Sequence, residues 1–297
     1  MRLRVLLSLV ICLPTLAASA PPRAPAADLL DVVLDYVAEI PRADTDAMTL
    51  PTEAEGERFI AGLTAVSRGD HEQAMRLLEP LSYTLTTLTD SVTGRQSWVV
   101  SESQDDDGNW PHGWGLYVFA AESGNQLVVE VSHPLFDVNT PQIGVEAFRR
   151  GDAQVLLMAG THRYSNSDGS SDVAHEAGTM FARVHRAVVT SRQSVVQFHG
   201  FDDPDSQEFG DIVVSAGEPT PDEQIDPVTE ALEDAGFDVC QYDGDQCEGL
   251  GGTENVQGEW CREVDARFLH VEMSREVRDD ADRRSMVARI VAEELTG

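Results

Sequence analysis

The sequence predicts an α/β protein, with three layers (αβα) around a mixed, mainly parallel sheet, entered through a helical and β-meander region. Three observations lead there. From Gln126 onward, runs of strand length alternate with stretches of helical period. The strand-like runs Gln126–Val131, Gln154–Ala159 and Ser194–Phe198 are almost wholly apolar, as expected of strands covered on both faces by crossover helices. Upstream, shorter period-two stretches are separated by turn signals, which is the mark of a meander.

Residues 1–26 are expected to be a signal peptide and linker. Arg2 and Arg4 precede an apolar run from Val5 to Leu16, which ends in Ala17, Ala18, Ser19 and Ala20. That run is short for a permanent membrane helix, so a secreted or periplasmic location without stable membrane insertion is expected. Residues 27–80 are expected to form a helical lobe. Asp28–Ile40 carries Leu29, Leu30, Val33, Leu34 and Val37 at helical spacing, Thr52 caps a helix over Thr52–Leu63, and Asp70–Leu78 gives a third.

The α/β domain is expected over 81–297, with 81–120 as its meander entry. Ser82–Thr89, Ser97–Ser101 and Trp114–Ala120 are the strands, and Thr93-Gly94 and Asp107-Gly108-Asn109 the turns. The tract Asp105–Asp107 reads as a solvated acidic turn. Helices are then expected over Thr140–Arg150 and His175–Thr190, with Asp172 as N-cap of the second, and further strands over Ile212–Ser215 and Phe268–Met273. Pro204–Asp211 and Gly217–Asp226 read as acidic loops, and Asp243–Gln257 as a mobile Gly-rich one.

Composition removes several function classes. All 21 basic residues are Arg, so no lysine is present for a phosphate loop, a Schiff base or a Ser–Lys dyad. The formal charge of −31 opposes general binding to nucleic acid or anionic membranes. No Gly-x-Ser-x-Gly elbow occurs, which disfavours a serine hydrolase. Cys240, Cys247 and Cys261 allow one disulfide with one thiol over.

In such a sheet, sites form where strands end. One strand runs into His133, with Asp137 four residues later, and a distant one ends in His199-Gly200. Two imidazoles and one carboxylate make a catalytic zinc set with one position left for water. Glycine after His199 would let substrate or backbone come close.

These residues resemble zinc-dependent poly-γ-glutamate hydrolases and, more distantly, zinc carboxypeptidases and N-formylglutamate amidohydrolases, over about Val128 to Arg278. The resemblance places His133, Asp137 and Thr140 on the family's His, carboxylate and Thr. Asp137 stands where the family has Glu, and the gap from the His differs by a residue, so Glu146 is kept as the alternative third ligand. His199 falls on the second His. Glu272, in the final strand, falls on the general base, and an ion pair with Arg275 or Arg278 is its structural alternative. Arg163 and Asn166 fall near the groups that grip a substrate carboxylate, and His175 is a further candidate to line the cleft. His185 and Arg186 are expected to be exposed.

The function implied is an exported zinc-dependent amidohydrolase or peptidase, cleaving an amide next to a carboxylate in a small peptide or N-acyl amino acid. The other class to weigh is a metal- or ligand-binding protein that keeps the fold without turnover.

Overall fold

A computed structural model of the chain describes residues 26–122, 124–202, 209–218, 220 and 222–297. The expected signal peptide lies outside the described residues, apart from its last position.

The first strand, β1 (Ala26–Ala27), leads into α1 (Leu29–Glu39), followed by α2 (Glu53–Ser67) and α3 (His71–Leu78). Side chains set these starts. Asp28 accepts from the Leu30 amide, Asp70 from the Gln73 amide, and Thr52 forms a capping box with Glu55. The meander is β2 (Tyr83–Asp90), β3 (Gln96–Glu102) and β4 (Leu116–Ala120). Next come β5 (Leu127–Val131), α4 (Thr140–Arg150), β6 (Val155–Met158), α5 (Met180–Val188) and β7 (Ser194–Phe201). The chain ends with β8 (Ile212–Ser215), α6 (Asp226–Asp234), β9 (Val239–Gln241), α7 (Val256–Val264), β10 (Arg267–Ser274), α8 (Arg275–Asp279) and α9 (Ala281–Thr296).

All ten strands join one mixed sheet in the order β1-β2-β3-β4-β6-β5-β7-β10-β8-β9. Its centre, β6-β5-β7-β10, is parallel, and the meander is antiparallel to it and to itself. One face is covered by α1, α4, α6 and α9, through residues such as Val33, Ile143, Leu232 and Val291. The other is covered by α2, α3, α5 and α7, through Phe59, Leu78, Phe181 and Cys261. The three-layer expectation therefore holds, and the three N-terminal helices divide between the two outer layers, with α1 against α4 and α2 against α5.

The helix expected over His175–Thr190 begins instead at Met180, capped by Thr179, because residues 172–179 are drawn into turns around Asp172. Asp172 is therefore not the cap of α5. The segment read as Gly-rich loop to Gln257 already contains the first turn of α7, and α6 and α9 went unread.

Alternation along the central strands builds the site. Val129, Val131, Val196, Phe198, Leu269 and Val271 point into one apolar layer. Their neighbours Glu130, Ser132, Gln197, His199, His270 and Glu272 point to the other face near the strands' C-terminal ends, since successive side chains alternate. Cross-strand register then sets Glu130 beside Gln197 and His199 beside Glu272.

A buried carboxyl away from this row ties down the segment after β3. Glu102, 3 % exposed, accepts from the His112 amide at 2.6 Å and the Trp114 amide at 3.1 Å. Burial pushes its carboxyl up to about 7, against the lowering effect of those backbone bonds. A group whose pKa is raised on folding holds its proton more tightly in the folded state. Its contribution to stability is thus fully present below the unfolded value near 4.5 and lost as pH rises through about 7. Glu102→Gln is expected to flatten that loss, on the order of 3 kcal/mol at 1.36 kcal/mol per unit. Urea denaturation of both proteins at pH 5 and pH 8 checks it, and an equal pH slope in both would count against it.

Candidate metal centre

His133 follows β5, and a tight turn returns the chain so that the Asp137 amide bonds the His133 carbonyl at 2.9 Å. That turn brings Asp137 Oδ2 to 3.1 Å from His133 Nδ1. His199 reaches the same oxygen from β7, with its Nδ1 also at 3.1 Å. Candidate ligand atoms on the three side chains all lie within 4.8 Å of one another, and each residue is buried. Two imidazoles from strands apart in sequence thus converge on one carboxylate. The ~3.3 Å edge of a zinc tetrahedron with bonds near 2.0–2.1 Å is close to these spacings.

The outer nitrogens are also occupied. His133 Nε2 meets Asp172 Oδ1 at 2.8 Å, and His199 Nε2 meets Gln197 Oε1 at 2.6 Å and Ser132 Oγ at 3.1 Å. Ligating histidines commonly give their second N–H to an oxygen in this way. Burial would raise Asp137, but the adjacent imidazoles of His133 and then His199 outweigh it and hold its carboxyl well below the usual range. The same balance, with His133, His175 and Arg163 as partners, lowers Asp172. Burial works against His133, yet the two aspartates raise it above the ordinary imidazole value. His199 is lowered, first by burial and then by the charge of His133, with Asp137 opposing.

Glu272 lies next to His199 across the strands and keeps 13 % of its side chain open to a cavity of about 490 Å³. His133, His199, His270, Arg163 and His175 line the same cavity. Burial, followed by the charge of Asp137, pushes the Glu272 carboxyl well above its ordinary value, while Arg278 and Arg163 pull the other way. Among the described residues its Oε2 is buried without a hydrogen-bond partner, and so is Nδ1 of His270, whose Nε2 lies 3.9 Å from Glu272 Oε1. The alternative of an ion pair with Arg275 or Arg278 is not what forms. Arg275 bonds Asp279 and Asp202, and Arg278 bonds Asp202 and the carbonyls of Met273, Val138 and Phe201.

Arg163 pairs with Asp172 and packs its guanidinium 5.3 Å from the ring centres of both Phe136 and Tyr164. The residue lines the cavity, and its Nε is buried without a hydrogen-bond partner among the described residues. His175 faces the cavity and contacts Asp172 at 3.2 Å.

Two candidates are corrected. Asn166 is not at the cavity: its amide is spent on the Met48 backbone, at 3.1 and 2.7 Å, and on Ser170. Glu146 is not a ligand: on α4 it pairs with Arg150 one turn on. Expected exposure is also corrected for His185, which is 1 % exposed and bonds Glu130 at 2.6 Å, and for Arg186, half-buried on the Ala177 carbonyl. The disulfide joins Cys240 and Cys247, leaving Cys261 as a buried thiol.

His270 was not singled out from sequence. Its signal was a spacing of two from Glu272, which puts both on one strand face. With His199 these two form a second group whose candidate ligand atoms also lie within 4.8 Å of one another. Gly252 lays its backbone over that ring: a Cβ there would come within 2.8 Å of His270 Cδ2. Gly200 serves a different partner from the one expected, since a Cβ on it would lie 2.1 Å from Arg278 Nε. Gly200→Ala is therefore expected to displace Arg278 from its carbonyls and cost roughly 2–4 kcal/mol. Chemical denaturation measures this, and a stability equal to the parent's would contradict it.

No family model matches the chain, and no curated protein does. Among solved structures, a bacteriophage poly-gamma-glutamate hydrolase aligns with a TM-score of 0.41 and 14 % identity, over 58 % of this chain and 84 % of that one. N-formylglutamate amidohydrolase from Ralstonia eutropha JMP134 gives 0.36 and 13 %, over 59 % and 95 %. The ectoine utilization protein EutE from Ruegeria pomeroyi gives 0.41 and 11 %, over 72 % and 69 %. The chemistry of this chain is read from its own side chains.

Proposed function

We propose that the chain is a zinc-dependent hydrolase of amide bonds, acting on a small peptide or N-acyl amino acid. One observation carries the reading: two imidazole Nδ1 atoms converge on one carboxylate oxygen, and both imidazoles line a cavity that also holds Glu272, whose Oε2 has no hydrogen-bond partner among the described residues. The donor set fits zinc, being two nitrogens and one oxygen with room on the cavity side. His133, Asp137 and His199 would hold the ion, which when bound supplies Lewis acidity and makes a water acidic at neutral pH.

The protein's own part follows from its positions. Glu272 takes the proton from the attacking water and passes it to the leaving nitrogen. A carboxyl held high by burial is suited to carrying that proton between the two. Arg163, held by Asp172, lines the cavity, where its guanidinium would orient a substrate carboxylate or the developing oxyanion. Asp172 thereby couples a ligand, His133, to the substrate-facing Arg163. We propose further that the activity lies outside the cytoplasm, a reading supported by the Cys240–Cys247 bridge.

Metal analysis of the purified protein, paired with hydrolysis of N-acyl amino acids and dipeptides before and after chelation, tests the proposal. Bound zinc with chelator-sensitive cleavage is expected. Bound zinc without cleavage of any amide would favour the binding-protein reading, and absence of metal affinity would remove both.

A further inference from the structure

We infer that the side-chain amide of Gln197 fixes His199 as its Nε2–H tautomer and leaves Nδ1 bare toward Asp137, which makes Gln197, Asn255 and Gln257 positioning residues for a metal ligand. The functional importance of this rests on the metal reading above. The tautomer itself does not.

The inference starts from backbone groups, whose roles are fixed. The amides of Gln257 and Gly258, in the first turn of α7, can only donate, and both reach Asn255 Oδ1 at 3.0 Å. Asn255 therefore presents its NH2 to Gln197, and the Gln197 atom it meets is Oε1. The carbonyl of Val173 can only accept, and it takes Gln257 Nε2 at 2.9 Å. Gln257 Oε1 is thus left facing Gln197 Nε2, at 3.3 Å. The same Nε2 lies 2.9 Å from Glu130 Oε2, whose other oxygen is held by His185. Three neighbours on two sides agree on one orientation of the Gln197 amide.

His199 has no choice after that. Its Nε2 lies 2.6 Å from Gln197 Oε1, an acceptor, so Nε2 carries the hydrogen. The Ser132 hydroxyl, at 3.1 Å, can rotate to suit. Nδ1 then holds a lone pair 3.1 Å from Asp137 Oδ2, which is also an acceptor. Two acceptors face each other across that gap, an arrangement that a cation between them turns from repulsive to attractive. The arrangement also accounts for the polar row itself. Glu130, Gln197, Gln257 and His185 are all at most 1 % exposed, and burying so many polar groups is costly unless each is satisfied.

The experiment reads the tautomer directly, from 15N chemical shifts of the His199 ring in the metal-free chain, alongside zinc affinity by chelator competition. The parent is expected to show Nε2–H. Gln197→Met removes the acceptor at His199 Nε2, so the proton moves to Nδ1, where Asp137 accepts it, and zinc affinity falls about 10–100-fold. The double variant Glu130→Gln, Gln197→Glu restores an acceptor at His199 with a donor behind it, and is expected to keep the parent's tautomer and affinity. Nδ1–H in the parent would overturn the inference, as would a Gln197→Met protein with unchanged tautomer and affinity. Equal loss of affinity in both variants with the tautomer unmoved would do so too, by assigning the row a packing role alone. A parent with Nε2–H and no zinc affinity would uphold the tautomer and sink the metal reading instead.

Discussion

Glu272→Gln is expected to lower kcat by about 10²–10⁴-fold with zinc content unchanged. The substitution keeps volume and shape and removes only the capacity to take a proton. Glu272 is not one of the three converging ligands, and its one ion-pair contact, His270 Nε2 at 3.9 Å, involves an imidazole that burial holds in the neutral form. Folding should not suffer, because burial already disfavours the charged carboxylate that the amide replaces. Turnover and KM on one cleaved amide, with metal analysis of the same samples, separate the outcomes. A fall in kcat with steady KM and full metal supports the proton-transfer role. Unchanged turnover removes Glu272 from the chemistry, and lost metal would make it a ligand.

His133→Ala and His199→Ala are each expected to take zinc from about one ion per chain to near none, and activity with it. Each removes one of the three proposed ligands, and loss of His133 also leaves the Asp137 carboxylate buried without that imidazole. Stability of His133→Ala should therefore fall as well, by roughly 3–5 kcal/mol for a buried charge deprived of a partner. Asp172 adds an asymmetry. Loss of His133 also takes one partner from Asp172, which keeps Arg163 and His175, whereas loss of His199 leaves all three in place. Metal content by elemental analysis decides the matter, and full zinc in either variant would take that histidine out of the site.

How much of this was legible in the sequence depended on what fixed each residue's position. His133, Asp137 and His199 were readable because strand ends in a parallel sheet gather at one edge, and a turn of four residues brings the aspartate back to its histidine. The strands themselves were readable from their apolar runs. Asn166 was misread because its place is set by the backbone of Met48, 118 positions away, and no local pattern announces such a contact. His185 sits on a helix whose period gave no hint that Glu130 would reach it from the sheet. His270 and Gln197 were in principle available: both occupy every-second positions in strands already recognised, but a strand judged apolar on both faces hides the few polar side chains that matter. α9 carried helical residues without a strongly one-sided apolar stripe, and it went unread.

Because the three converging side chains come from β5, the turn after it, and β7, with Glu272 supplied by β10, no short stretch of this chain can grip an ion well. The cradle exists only once distant strands have docked in register, so a zinc ion held there, as proposed, would bind the native state and largely ignore the unfolded one. Melting temperature should then climb with the logarithm of free zinc, and the midpoint becomes a gauge of how completely the sheet has closed.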